Sequence, residues 1–385
     1  MKTVYLDNGA TTMPGQKAAE AMDEANKNFW ANPSSIHHEG IKAKEILDSA
    51  RKTIANSISA KEDEIIFTAG GSEANNLAIK GYCLANKAKG NHIITTKIEH
   101  ECVLQSCVWL ESQGFQTTHL EVNEEGFIDL NELKSAITPK TILASIIHGN
   151  NEIGTIQNLE EIRKICKEKG IILHTDACQS YTKTKLSAQM ADMITINSHK
   201  IHGPKGAGAL YVKKGIKLIP MTHGGGHENN LRSGTQNVPA ISGFAKAVEI
   251  ANESHVQKMQ ALRDYFIKEA LKIEDSKLNG PKGNSRLCNN VNISFAAIEG
   301  ESLLAALDLD GICCSTGSAC ASRDLDPSHV IMAISNNDAE RAHGSLRFTL
   351  SRFSTKEEVD FTLQKLAAAV EKLRKISPLK KENKN

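Results

Sequence analysis

Met193-Ile194-Thr195-Ile196-Asn197-Ser198-His199-Lys200 is an apolar, β-rich run that ends abruptly on polar residues and a lysine, then passes into a glycine-rich segment from Gly203 to Gly208. Ile65-Ile66-Phe67, Ile93-Ile94-Thr95, Ile142 to Ile147 and Ile171-Ile172-Leu173 are runs of the same kind, mostly separated by helical stretches. Several are apolar on successive residues, as strands covered on both faces must be. The alternation predicts βαβ units, a largely parallel central sheet and ligands at the carboxyl ends of its strands. The polar motifs fall at those ends: Gly70-Gly71-Ser72 after Phe67, His148 to Glu152 after Ile147, Asp176 to Gln179 after Leu173, and Ser198 to Lys200 after Ile196.

Outward from this centre, residues 16–30 read as helical, and Ala43, Ile46, Leu47, Ala50, Ile54 and Ile58 recur at helical spacing behind the cap-like Asn32-Pro33-Ser34-Ser35. One long helical region is expected from Pro239 to Lys272. Beyond it, strands at Asn290–Phe295 and Ser345–Leu350 and a helix at Ser302–Leu307 make a second unit. The fold class is therefore α/β: a large domain over residues 15–255, and a smaller α+β domain built from 1–14 and 256–385. The length of 385 residues suits two cores better than one.

A formal net charge of +1 offers no field for nucleic acid or an anionic membrane surface, so the expected partners are small molecules and proteins. No stretch approaches the roughly 20 apolar residues of a membrane span, and the start of the chain lacks the apolar region of a signal peptide. A cytoplasmic location is expected. The nine cysteines are odd in number and lack framework spacing. Neither CxxC nor HExxH occurs, and adjacent Cys313-Cys314 suit one tetrahedral metal poorly, so no metal is expected.

Three motifs have a possible chemistry beside a plainer reading. Gly71 and Ser72, between a strand and a helix, are placed to meet a phosphate, or form a glycine turn with a serine cap. Asp176 ends a buried strand and wants a cationic partner such as a protonated pyridine nitrogen, or else accepts backbone donors in a turn. Lys200 beside Ser198 and His199 is placed to be partly desolvated, which favours imine formation. A fourth stretch, Cys314-Ser315-Thr316-Gly317-Ser318-Ala319-Cys320, sets a thiol on a Gly/Ser-rich segment.

These pieces, with Glu99-His100, Asn150-Asn151-Glu152-Ile153-Gly154, Gly224-Gly225-Gly226-His227-Glu228, Arg232-Ser233-Gly234-Thr235 and Gly317-Ser318-Ala319-Cys320, occur in an order and spacing that resembles the cysteine desulfurases of the NifS/IscS branch. These are fold-type-I pyridoxal-phosphate enzymes of the class-V aminotransferase family, and the resemblance spans nearly the whole chain, from Leu6-Asp7-Asn8-Gly9-Ala10-Thr11-Thr12 to Arg347-Phe348. It implies that Lys200 holds pyridoxal 5'-phosphate covalently, that Asp176 pairs with its pyridine nitrogen and that Gln179 bonds its phenolic oxygen. By the same resemblance His100 stacks on the ring and handles protons, while Gly71, Ser72, Ser198 and His199 surround the phosphate. Thr235 of a neighbouring subunit completes that cradle in a homodimer, Asn151 lies near ring and substrate, and Arg347 clamps the substrate carboxylate.

The implied reaction takes sulfur from L-cysteine, releases alanine and leaves a persulfide on Cys320 for an acceptor protein, such as an iron–sulfur scaffold or a tRNA-thiolation partner. Selenocysteine lyase, or another lyase or aminotransferase on the same scaffold, is the rival activity. Cys313-Cys314 and Cys178 depart from the pattern, as secondary sulfur stores or as space-filling residues. Relative to the family pattern, Ser335-Asn336-Asn337-Asp338 carries an extra residue before Arg347.

Overall fold

The computed structural model describes residues 3–316 and 327–378. In chain order its strands are β1 (Val4–Tyr5), β2 (Ile65–Thr68), β3 (His92–Thr96), β4 (Gln116–Leu120), β5 (Thr141–Ser145), β6 (Ile172–Asp176), β7 (Met193–Asn197), β8 (Gly208–Val212), β9 (Ser276–Leu278), β10 (Asn290–Phe295), β11 (Ile312–Cys313) and β12 (Ser345–Thr349). Seven form one sheet in the order β2-β8-β7-β6-β5-β3-β4. Only β8 runs against its neighbours; the other pairings are parallel.

The unbroken apolar runs have a direct cause. Successive side chains on a strand point to opposite faces. Ile65, Phe67, Ile94, Ile194 and Ile196 enter a core closed by Ile54, Ile241 and Phe244. Their neighbours Ile66, Ile93 and Met193 enter a second core with Val103, Leu110 and Leu210. Helix Val238–Ile250 packs on Gln16–Asn28 and His38–Ser57 over the first face.

A third core joins Val4 and Leu6 to Phe266, Val291, Ile293, Phe295, Leu346, Phe348, Val359 and Leu366. It lies on the antiparallel sheet β12-β10-β9, covered by helices Glu253–Ala270 and Lys356–Ile376. The first strand reaches it by pairing β1 in parallel with β11. A small fourth cluster bridges Ile98, Ile147 and Ile153 to Val330, Ile331 and Ile334.

One expectation needs correction. The helical region from Pro239 to Lys272 is two helices, Val238–Ile250 and Glu253–Ala270. Ala251 takes an extended ψ of 133° and the Asn252 side chain caps the second helix through the His255 amide. The glycine-rich segment after Lys200 ends at Gly208, the first residue of β8. A Cβ on Gly208 would lie 2.7 Å from the Gly70 Cα, so that crossing of two backbones requires glycine. The edge strand β4, Gln-Thr-Thr-His-Leu, carries no apolar run, and His92 ties it to the sheet by hydrogen bonds to Thr118 and Thr141. Among the described residues no helix is long and apolar enough to cross a membrane.

Glu99 ties two strand ends together. Fully buried just beyond β3, it accepts the Thr96 hydroxyl and the Ile147 amide, both at 2.8 Å. Burial pushes its carboxyl from the ordinary 4.5 up to about 8, against the pull of those two donors. Between these values the folded protein holds a proton that the unfolded chain has released, so this group's contribution to stability falls as pH rises. Glu99→Gln keeps the acceptor and removes the titration. Across pH 5 to 8.5 its melting midpoint should rise relative to the parent protein, the gap in stability reaching on the order of 4 kcal/mol; a pH-independent gap by calorimetry refutes this.

Candidate active site

A parallel sheet brings the carboxyl ends of its strands to one edge, and there the chain assembles its polar groups. Asp176, the last residue of β6, is 5% exposed. Its Oδ2 accepts from Asn75 Nδ2 at 2.7 Å and its Oδ1 from the Cys178 amide at 2.9 Å. No lysine or arginine among the described residues pairs with it. Two neutral donors orient the carboxylate and leave its charge available to a cationic ligand.

One turn further on, Gln179 Nε2 donates to the Gly9 carbonyl at 2.8 Å. Lys200, three residues past the end of β7, directs Nζ at the Gly9 and Ala10 carbonyls, the latter at 2.8 Å. The segment from Asp7 to Thr12 is thus stretched across the strand ends. Thr12 holds the His199 carbonyl through both its amide and its hydroxyl, each at 2.9 Å.

The region expected to meet a phosphate is built for close approach. A Cβ on Gly71 would strike the Cys178 sulfur at 2.5 Å, so this turn admits only glycine. Ser72 follows, exposed, in the first turn of helix Gly71–Asn76. The Ser198 hydroxyl is buried with no hydrogen-bond partner, an acceptor or donor awaiting one. His199 lies between Thr11 Oγ1 at 3.2 Å and Asn197 Nδ2 at 3.3 Å. Burial, aided by the charges of Lys200, Lys205 and Lys183, pushes its pKa down to about 4, so the ring is neutral.

His100 caps helix Glu101–Ser112, its Nδ1 accepting the Cys102 amide at 3.1 Å. A neutral ring in that bond carries its proton on Nε2. The Cys102 sulfur lies 3.1 Å from both His100 Nδ1 and Asn75 Nδ2, linking the cap to the Asp176 pair.

Arg347 enters from the other unit, on β12. It is 3% exposed, pairs with Asp7 Oδ1 at 2.9 Å and donates to the Asn151 carbonyl at 3.2 Å. Its Nε and the Asn151 Oδ1 are both buried and unpartnered. Ser315 exchanges backbone hydrogen bonds with Arg347 at 3.1 and 2.7 Å, so the chain leading toward Cys320 enters beside the guanidinium. On the far side, Ser328 donates to the buried Glu152 carboxylate at 2.5 Å. Cys320 itself lies outside the described residues.

The arrangement brings Gly71, Asp176, Gln179, Ser198, His199 and Lys200 to the strand ends, with His100 linked in through Cys102. Arg347 and Asn151 touch each other across the two units. Thr235 is exposed on the loop that Arg232 fastens to Glu73 at 2.8 Å. Of the cysteines that depart from the family pattern, Cys313 is half-buried on β11, Cys314 packs partly buried against the third core with its thiol pushed up to about 12, and Cys178 is buried beneath Gly71 and raised well above the ordinary thiol value. Burial makes the last two poor thiolates. Sequence reading missed Asn75 and Asp7 as functional groups. Asn75 stands one turn beyond Ser72 on the same helix, which was its only signal; Asp7 lay within a quoted motif without a role.

The chain matches the family model "Aminotransferase class-V" over residues 4–361. It is 51% identical over 387 aligned positions to the cysteine desulfurase IscS of Dictyoglomus turgidum, covering 99% of this chain and 98% of that one. Among solved structures it is similar to a NifS-like protein, with a TM-score of 0.90 and 34% identity, over 96% of this chain and 100% of the other. It also resembles SspA in complex with cysteine, with a TM-score of 0.82 and 36% identity over 92% and 100% of the two chains. Family match, full-length relatives and fold agree, and the chain belongs to the class-V aminotransferase family.

Proposed function

We propose that this protein is a pyridoxal-phosphate-dependent cysteine desulfurase that moves sulfur from L-cysteine to Cys320 and thence to an acceptor protein. The observation that carries the reading is the buried Asp176 carboxylate, oriented by Asn75 and the Cys178 amide yet without a cationic partner among the described residues, on the same strand edge as Lys200. The residues fit the cofactor: an unpaired carboxylate for the pyridinium, a lysine for the aldehyde, and a glycine turn with an unpartnered Ser198 hydroxyl for the phosphate. When bound, pyridoxal phosphate supplies an electron sink for the pair released at the substrate Cα.

The chain supplies the rest. Lys200 would hold the cofactor and then move the Cα proton. Asp176 would keep the ring nitrogen protonated, Gln179 would bond the phenolic oxygen, and His100 would lie against the ring and present its Nε2 proton. Gly71, Ser72, Ser198 and His199 would hold the phosphate. Arg347 and Asn151 hold the substrate carboxylate and amine side. Cys320 then forms an S–S bond with the substrate sulfur as the substrate Cβ–S bond breaks. The electron pair of that bond stays with carbon, which takes a proton to become the alanine methyl, and Cys320 is left oxidised as the persulfide.

We also read the chain as a homodimer in which Thr235 completes the partner's phosphate site. Support comes from Ile36 and Ile41, 95% and 48% exposed, which line one cleft with Gly225, Gly226 and Gln236 of the Thr235 loop. The division into 15–255, and 1–14 with 256–385, is supported by the way the apolar cores separate. All the described cysteines are free, which suits a reducing cytoplasm. The acceptors we assign are an iron–sulfur scaffold or a tRNA-thiolation partner, in line with the IscS name of the relatives.

Borohydride reduction of the yellow protein followed by peptide mapping should place a pyridoxyl group on Lys200 and nowhere else; its appearance on another lysine ends the assignment. Asp176→Asn, which removes the buried anion, should lower kcat for alanine formation by about 100-fold or more while leaving the fold intact by circular dichroism. Cys320→Ser should keep the visible absorption and its response to L-cysteine but lose persulfide and sulfide release by about 100-fold or more. A selenocysteine lyase would keep full turnover of selenocysteine in that variant and make no alanine from cysteine in the parent protein.

A further inference from the structure

Lys200 also borders a second space, distinct from the edge where Asp176 lies. It is a cavity of about 30 Å³ between the turn at Thr182-Lys183, the start of helix Glu253–Ala270 and the chain just past β12. Lys183, Lys200, His202, His255 and Arg352 line it, and no aspartate or glutamate does.

Lys183 is 8% exposed and makes one hydrogen bond, to the Gln179 carbonyl at 3.0 Å. Arg352 is 9% exposed, and its guanidinium carbon sits 5.1 Å from the Phe353 ring centre. That guanidinium has no hydrogen bond or ion pair among the described residues. The His255 Nδ1 is buried and unpartnered. These groups feel one another. Burial brings Lys183 down to about 8, with Lys200 adding to the effect. Burial first, then Arg352, Lys183 and His255, brings His202 down to about 4 even though its ring bonds the Met13 carbonyl.

Buried cations are normally paired, because an uncompensated charge in a dry site is costly. Here two sit together with no carboxylate beside them among the described residues. Glu358, which lines the neighbouring cleft, is committed to the Thr355 amide as a helix cap. The 30 Å³ is the room open to the centre of a water-sized sphere, enough for one water molecule or a monatomic ion.

We propose that this cavity binds a small monovalent anion of halide size, held by Lys183 and Arg352 with His255 as a further donor. The anion offsets the two buried cations. The site is a matter of charge and volume, and it stands independently of the cofactor assignment.

The test uses the full-length holoenzyme. With ionic strength held constant while gluconate is replaced by chloride, the melting midpoint should rise and saturate, because an ion that binds only the folded state stabilises it by mass action. Crystals grown in bromide should show an anomalous peak between Lys183 and Arg352. Arg352→Gln and Lys183→Met should each abolish the saturable rise; where one does not fold, the other decides. Equal midpoints in the two salts, or a rise that persists unchanged in the variants, overturn the proposal, and a bromide peak without any effect in solution is binding at crystal concentration only and overturns it as well.

Discussion

A carboxylate sealed at the end of the central strand sets the terms for the rest of this molecule. Asp176 cannot stay ionised in a dry place without donors, and Asn75 and the Cys178 amide supply two of them. Both must be brought to it. Asn75 comes from the helix that follows β2, four positions across the sheet order from β6 counting both strands, and Cys178 from the turn that β6 itself enters. The same closeness makes Gly71 obligatory, because any side chain there would occupy the volume of the Cys178 sulfur. A buried thiol that is hard to ionise therefore sits as a spacer under the Gly71 turn.

The second organising element is the short segment Asp7–Thr12. It leaves β1, which belongs to the small sheeted unit, and crosses the strand ends of the large one. On its way it takes hydrogen bonds from Gln179 and Lys200 on its carbonyls and gives Asp7 to Arg347. Gly9 fits because its amide donates to the Thr349 hydroxyl at 2.6 Å, and a Cβ there would press on that same side chain at 3.0 Å. Lysine and arginine, the two cations expected to meet cofactor and substrate, are thus held in readiness by one stretch of backbone and one carboxylate. A substrate carboxylate bound as proposed would compete with Asp7 for the guanidinium.

Burial also sorts the titratable groups. Glu99 and Glu152 are raised, His148, His174 and His199 are lowered, and each shift follows mainly from loss of water around the charged form. The sheet edge is therefore largely neutral apart from Asp176, Lys200 and the Arg347–Asp7 pair. A site of this kind gives a zwitterionic amino acid and an anionic cofactor few competing charges to choose among.

Much of this was legible in the chain itself. Residues apolar on successive positions can only be strands buried on both faces, and that rule predicts a parallel sheet and the edge where Asp176, Ser198 and Lys200 gather. Motif order carried the family, and through it the roles proposed for His100, Gln179 and Arg347. What the chain order did not reveal were contacts between distant stretches whose residue types are ordinary: Asn75 on Asp176, Asp7 on Arg347, Gly208 against Gly70, and the polar strand β4 recruited by His92. Periodicity reports the face a residue turns inward, because that depends on its neighbours in sequence. Which partner waits there is decided by packing alone, and so the charges around Lys183 and Arg352 became visible only once the chain was folded.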